Sequence, residues 1–118
     1  MRRVARLLID DRRVTVRLSA VEKLEAFHGN VTVPRTAVIA ARGVPDGLAE
    51  LHGARIGTSI GTGLPGVMMV GTVRSRDGVT FAVCHRHRPA VILDLSGQSY
   101  DRILVTVDNP EEILSRLP

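Results

Sequence analysis

Residues 53–73 read GARIGTSIGTGLPGVMMVGTV and join a glycine-rich segment to the apolar run Val67–Val70. Residues 61–66 match the pattern G-x-G-x-x-G, which binds dinucleotides when a strand precedes it and a helix N-terminus follows it. Here residues 55–59 are too interrupted by glycine for a strand, and residues 67–73 contain glycine and β-branched residues that disfavour a helix. We therefore expect these glycines to shape the backbone where the chain enters a central strand, and we predict no cofactor there.

Most of the remaining chain is predicted to form β-strands. Residues 14–18 alternate apolar and polar side chains and are expected to pair with residues 4–9 as a hairpin. Asp77-Gly78 between two β-rich runs, residues 67–74 and 79–85, is a strong hairpin signal. Pro34 predicts that the short strand before it lies at a sheet edge. Further strands are expected at residues 31–33, 36–41, 90–95 and 102–107.

Two helices are expected, one early and one at the C-terminus. Ser19 and Glu22 have the spacing of a capping box, and Val21, Leu24 and Phe27 are expected to face inward from the helix that follows. The residues after Leu51 lead into the glycine-rich segment, and residues 45–51 are expected to form a turn or a single helical turn. Asn109 and Pro110 indicate the N-cap and first position of the C-terminal helix.

These elements predict one domain over residues 1–118. Its fold class is expected to be mostly β, a roll or sandwich of about seven antiparallel strands. A short helix is inserted after the second strand, and a C-terminal helix closes one open end of the roll.

Four segments resemble bacterial pleckstrin-homology (PH) domain-like proteins of unassigned function: residues 18–24, 33–38, 61–66 and 100–102. The resemblance implies a PH-like fold and no particular activity, because such folds bind lipids, peptides and proteins alike. The sequence departs from that group at residues 56–60, where the loop is longer, and at residues 84–87.

Composition suggests a protein of the reducing cytoplasm. The chain has a single cysteine, Cys84, and therefore no internal disulfide. Its apolar start ends at Asp10-Asp11, which is far short of a signal peptide or membrane span. The formal net charge is +4 and comes almost entirely from arginine, since Lys23 is the sole lysine.

Cys84-His85-Arg86-His87 is the one local cluster of metal-ligand residue types. If this segment is a strand, His85 and His87 point the same way and can supply two ligands, whereas Cys84 points to the opposite face. The alternative is a solvated strand end with Cys84 in the core, because further ligands are only scattered (His28, His52, Asp94). We predict no metal site. No pair of nucleophile and base is adjacent on one face, so we predict no catalytic residues and no enzymatic activity.

Five arginines come from the glycine segment, its hairpin and the following turn: Arg55, Arg74, Arg76, Arg86 and Arg88. If those chain ends meet on one rim, they form a patch for an anion, a phospholipid head group or an acidic peptide. The alternative is a solvated charged surface. Nucleic acid is not expected as a partner, because aromatic residues for base stacking are few.

The sequence is thus interpreted as an uncharacterised, non-catalytic PH-like binding or scaffold domain that engages a protein partner or itself. An exposed edge or groove would make the contact, with the segments near Pro34 and Met68-Met69 as contact points. The alternative function is binding of an anion or phospholipid head group at the arginine-rich rim.

Overall fold

The structure, a computed structural model, describes residues 6–26, 29–52, 56–64, 67–76 and 78–117. It is mostly β, as the sequence predicts, and contains nine strands in two sheets. In chain order the elements are β1 (Arg6–Ile9), β2 (Arg13–Arg17), α1 (Ala20–Ala26), β3 (Val31–Pro34), a 3₁₀ turn (Arg35–Ala37), β4 (Val38–Val44), α2 (Gly47–His52), β5 (Ile56–Leu64), β6 (Met68–Ser75), β7 (Gly78–His85), β8 (Ala90–Leu95), β9 (Arg102–Thr106) and α3 (Pro110–Leu114).

The smaller sheet has the order β1-β2-β3, and the larger sheet has the order β4-β8-β9-β7-β6-β5. Both hairpins expected from the sequence are confirmed, since β1 pairs with β2 and β6 pairs with β7. The expectation of about seven strands is too low, because all eight segments expected to be strands form strands and the glycine-rich segment forms a further one, β5. The expectation of purely antiparallel pairing is also wrong, because β9 inserts between β7 and β8 and runs parallel to β7.

The larger sheet is buried on both faces at its centre. Phe81 and Val83 of β7 contact the core shared with the three-stranded sheet, whereas Ala82 and Cys84 contact a second core that includes Leu48 and Leu51 of α2. The helical turn expected around Leu48 and Leu51 is therefore confirmed, and the helix is six residues long. Apolar side chains on both faces explain why the central strands are continuous hydrophobic runs with little alternation.

For helix α1, the sequence correctly predicted the N-terminal capping box but not which side chains are buried. The Ser19 amide donates to Glu22 Oε1 at 2.9 Å and the Glu22 amide donates to Ser19 Oγ at 3.1 Å, which confirms the capping box. Val21 and Leu24 are nevertheless 38% and 74% exposed, so their expected inward orientation is wrong. Glu22 takes the buried position instead, because the capping box turns its carboxylate towards Ser19. Phe27 lies outside the described residues.

The C-terminal helix begins as expected. Asn109 Oδ1 accepts a hydrogen bond from the Glu112 amide at 3.3 Å, and Pro110 occupies the first turn. Helix α3 contacts β4 and β8, and Ile113, Leu114 and Leu117 pack against the first core.

Gly47→Ala is expected to destabilise the protein although alanine favours helices. A Cβ at residue 47 would lie 2.7 Å from Ala90 Cβ and 3.3 Å from Cys84 Cβ, so α2 must move away from the sheet. We expect a loss of about 1–3 kcal/mol in the free energy of unfolding, measured by urea denaturation. Gly29→Ala is the matched control, since a Cβ there meets open space. Equal stability of the two variants would contradict the close packing of α2.

Candidate functional site

The glycine-rich segment is a sheet hairpin and has no nucleotide-binding helix after it. Gly61 and Gly63 lie in β5, and the expected strand after them is confirmed as β6. The expectation that residues 55–59 are too interrupted for a strand is wrong for residues 56–59, which belong to β5. Pro65 and Gly66 lie outside the described residues.

Cross-strand packing explains why these positions are glycine. Gly61 lies opposite Gly71, with φ angles of 136° and 146° that side chains rarely adopt. A Cβ at Gly61 would also lie 2.8 Å from Gly71 Cα. These two glycines therefore serve the close approach of two backbones, as the sequence predicts for the glycines of this segment.

The arginines do not form one rim. Arg74 and Arg76 lie at the β6–β7 turn, whereas Arg86 and Arg88 follow the opposite end of β7. The two ends are separated by the length of the eight-residue strands, about 23 Å at 3.3 Å per residue. Arg88 also pairs with Asp108 at 2.9 Å. The premise of a single rim is therefore wrong for these four residues, and Arg55 lies outside the described residues.

His85 and His87 do not share a strand face. His85 is the last residue of β7, and His87 lies in the following turn with a φ of 57°. The imidazole of His87 is 80% exposed, and its Nδ1 lies 3.6 Å from Asp46 Oδ2. The two-ligand arrangement considered for His85 and His87 requires both on one strand face, and the structure does not place them so. Among the residues described, no group of three or more His, Cys, Asp or Glu side chains is arranged to hold a metal ion.

Cys84 is a core residue. Its side chain is fully buried in the α2-facing core, and burial raises the pKa of the thiol to about 12. The thiol is therefore protonated at neutral pH and lacks the thiolate that nucleophilic cysteines require.

A small charged cleft that the sequence analysis missed opens on the α2 side of the larger sheet. It has a volume of about 60 Å³ and contains Arg42 of β4, Arg102 of β9, Thr80 of β7 and Glu50 of α2 above the apolar residues Ile92 and Leu104. Strand alternation places Arg42 and Arg102 on the same face as Ile92 and Leu104. Finding this cleft from the sequence would have required the strand order β4-β8-β9.

A second, larger groove of about 300 Å³ lies beside β3. Its lining is uncharged and consists of residues 30–33 and 98–100. The Arg35 amide donates to Arg12 O, so the alternation of an antiparallel ladder directs the backbone groups of Val31 and Val33 towards β2 and those of Thr32 outward. Since Pro34 has no N–H group, Thr32 supplies the one outward amide donor of this short strand.

Among the described strands, β5 is the edge strand of the larger sheet on the side remote from β4. We define the β5 edge surface as β5 together with the exposed apolar residues Val21, Leu24 and Val67. Helix α1, which carries Val21 and Leu24, contacts both β5 and β6, and Val67 directly precedes β6. Of the large apolar residues that are exposed in the described chain, Val21 and Leu24 lie on the helix that contacts β5 and β6. Val67 lies one strand in from the edge, where its carbonyl accepts from the Arg86 amide, and Leu8 and Ile39 lie on β1 and β4.

Comparison of the chain with protein-family models, with curated proteins and with solved structures finds no match. Within the described segments, every helix is too short or too polar to span a bilayer.

Native Cys84 is expected to resist thiol reagents. Because the thiol is buried and its pKa is raised to about 12, Ellman's reagent at pH 8 should react only as the protein unfolds. The reaction should become stoichiometric in denaturant, and its rate in buffer should follow the population of unfolded protein. Rapid stoichiometric labelling of the folded protein would contradict the core position of Cys84.

Proposed function

We propose that this chain is a non-catalytic protein-interaction domain that associates with a second copy of itself through the β5 edge surface. The observation that carries the proposal is the composition of β5, which has nine residues, IGTSIGTGL, with no charge and no proline. Natural edge strands normally carry charges, proline, bulges or a covering element that prevent pairing with another chain. The register irregularity of β5, between Ile56 and Thr58, lies near its start, and residues 59–64 have a regular register against β6.

The register of the sheet defines which backbone groups of β5 are free. The Arg86 amide donates to Val67 O, so the odd-numbered residues of β6 direct their backbone groups to β7 and the even-numbered residues direct theirs to β5. Their partners on β5 are also even-numbered. Ser59, Gly61 and Gly63 therefore direct their N–H and C=O groups outward, where a further strand can pair with them.

The uncharged sequence of β5 makes it the surface on which a second copy meets the least charge repulsion. Each copy carries a formal net charge of +4, so two copies repel one another unless they meet where charge is absent. A two-fold axis across β5 pairs the strand antiparallel with itself, which makes the contact self-complementary. The exposed Leu24 beside the edge would lose solvent contact in such a pair and add apolar burial to the main-chain hydrogen bonds.

The contact points expected from the sequence are revised by burial. Met69 is only 7% exposed and faces the α2 core, so it is not an accessible contact. Met68 is half-buried against the first core, and Pro34 lies on β3 in the smaller sheet. The β5 edge surface replaces these segments in the proposal.

The PH-like relationship and a cytoplasmic location are further parts of the proposal. Two β-sheets and a C-terminal helix against β4 and β8 support a PH-like fold, while the parallel β7–β9 pair and the ninth strand depart from the expected pattern. The single cysteine supports the cytoplasm. The alternative of anion binding at the five-arginine rim loses support because its four described members are divided between two ends.

Self-association is tested by sedimentation velocity across a concentration series. We expect a monomer–dimer equilibrium that Leu24→Glu weakens at least about tenfold, roughly 1.4 kcal/mol, because the charge is buried in the contact. Gly63→Lys is expected to weaken it similarly, because it adds the charge that protected edges carry.

Each variant has a matched control at the opposite edge of the same sheet. Ile39→Glu changes another exposed apolar residue, 67% exposed on β4, and Ala40→Lys adds the same charge to that strand. Both controls are expected to dimerise like the unmodified protein. A strict monomer up to about 1 mM, where even association of about −4 kcal/mol is detectable, would refute self-association. Equal weakening by variant and control would refute the β5 location.

A further inference from the structure

The cleft between α2 and the larger sheet brings two cationic side chains together on one sheet face. Arg42 lies opposite Ile92 on β8, and Arg102 lies opposite Asp94 on the other side of the same strand. Two strand spacings and two residues of offset place their Cα atoms about 12 Å apart, which two arginine side chains can span. Both side chains line the cleft.

Several polar side chains that line the cleft have hydrogen-bonding groups without a partner among the described residues. Arg42 makes no hydrogen bond or ion pair with any other described residue. Arg102 uses its Nε for Asp94 Oδ1 at 3.1 Å, which orients the guanidinium and leaves its two terminal nitrogens available within the described chain. Thr80 is 94% buried, being 6% exposed, and its hydroxyl has no partner among the described residues. The Thr80 hydroxyl keeps solvent contact at the cleft and can donate a hydrogen bond to a ligand oxygen there.

We propose that this cleft is a binding site for a small oxyanion, a phosphate or carboxylate group. The ligand's oxygens accept hydrogen bonds from the guanidinium groups of Arg42 and Arg102 and from the Thr80 hydroxyl. Guanidinium donors match such oxygens in geometry and charge, and these bonds are stronger than neutral ones. The volume of about 60 Å³ suits one anionic group, with the remainder of a larger ligand extending into solvent.

Two carboxylates near the cleft, Asp94 and Glu50, affect how strongly an anion binds. Removing a carboxylate that repels the anion should tighten binding. Asp94 and Arg102 form an ion pair with no net charge, so Arg102 contributes oriented N–H donors and Arg42 contributes the positive charge that is uncompensated among the described residues. Glu50 is exposed on α2 at the mouth of the cleft and makes no ion pair within the described chain, so it repels an anion there. Glu50→Gln is therefore expected to tighten anion binding, whereas Glu111→Gln, an exposed position on α3, is its control.

The site is tested by titrating the protein with inorganic phosphate, and separately with acetate, at constant ionic strength maintained with chloride. Amide chemical shifts of residues around the cleft should change saturably, with a dissociation constant on the order of 1 mM for a single small anion. Arg42→Gln and Arg102→Gln should each weaken binding at least about tenfold. Thr80→Val keeps the shape, removes the hydroxyl and should weaken binding about fivefold.

Arg74→Gln is the matched control for loss of one positive charge. Arg74 is exposed, and it lies on the opposite face of β6 from Val73, which lines the cleft. Its replacement should change the affinity less than about twofold, because exposed charges at a distance are screened. Because Arg42 has no partner among the residues that the structure describes, Arg42→Gln should remain folded and is decisive. Absence of saturation with both anions would overturn the assignment, as would equal weakening by Arg42→Gln and Arg74→Gln. Saturation by phosphate alone or by both anions would support it and define the preferred group.

Discussion

The need to bury both faces of the central strands organises this protein. Strands β7, β8 and β9 carry apolar side chains on both faces, so the chain must supply a covering layer on each side. The three-stranded sheet covers one face, where Phe81, Leu93 and Ile103 are fully buried. Helix α2 covers the other face, which small residues line where the helix crosses, and Gly47 is the point of closest approach. The asymmetry of side-chain size thus explains why one layer is a sheet and the other a single short helix.

Strand β9 lies between β7 and β8 and runs parallel to β7. Hydrogen bonds of Asp101 hold the start of β9 against both of these strands. The Asp101 amide donates to Val79 O at 2.8 Å, its carboxylate accepts from the Val79 amide at 2.8 Å, and its carbonyl accepts from the Leu95 amide. Gly78, with a φ of 119°, leaves the space that the Asp101 carboxylate occupies. Tyr100 contacts the ring of Phe81, with centroids 5.4 Å apart. The Tyr-Asp-Arg segment at residues 100–102 therefore has a structural explanation in strand closure.

Features of local origin could be predicted from the sequence, and features of non-local origin could not. The capping box at Ser19 and the β6–β7 hairpin depend on residues a few positions apart, and both are present. Strand β5 was missed because glycine weakens local strand propensity, and the strand depends on pairing with β6 along its length. Functional sites likewise could not be predicted where their residues are brought together only by the tertiary structure.

The arginine residues show that limit most clearly. Hairpin connectivity suggested that Arg74 and Arg86 would meet, although the eight-residue strands between them hold them at opposite ends. Arg42 and Arg102 are 60 positions apart in the numbering, and they share a cleft only because β8 lies between their strands. Strand order is a tertiary property, so neither residue stood out in the sequence.

The edge strands of the two sheets differ in how readily a further strand could pair with them, and β5 differs most from the others. Strand β3 has four residues and ends in Pro34, and β4 has an irregular register between Val38 and Ala40 and lies against α3. Strand β1 also has only four residues. Each of these features limits pairing with a further strand, because shortness, proline, bulges and covering elements interrupt the row of free backbone groups. Strand β5 is the longest of the nine strands and has neither charge nor proline. Strand β5 also has an irregular register, between Ile56 and Thr58, and contacts α1, so its length and its uncharged, proline-free sequence are what distinguish it from the other edges. Length without charge or proline is the combination that leaves the longest row of backbone groups suited to pairing.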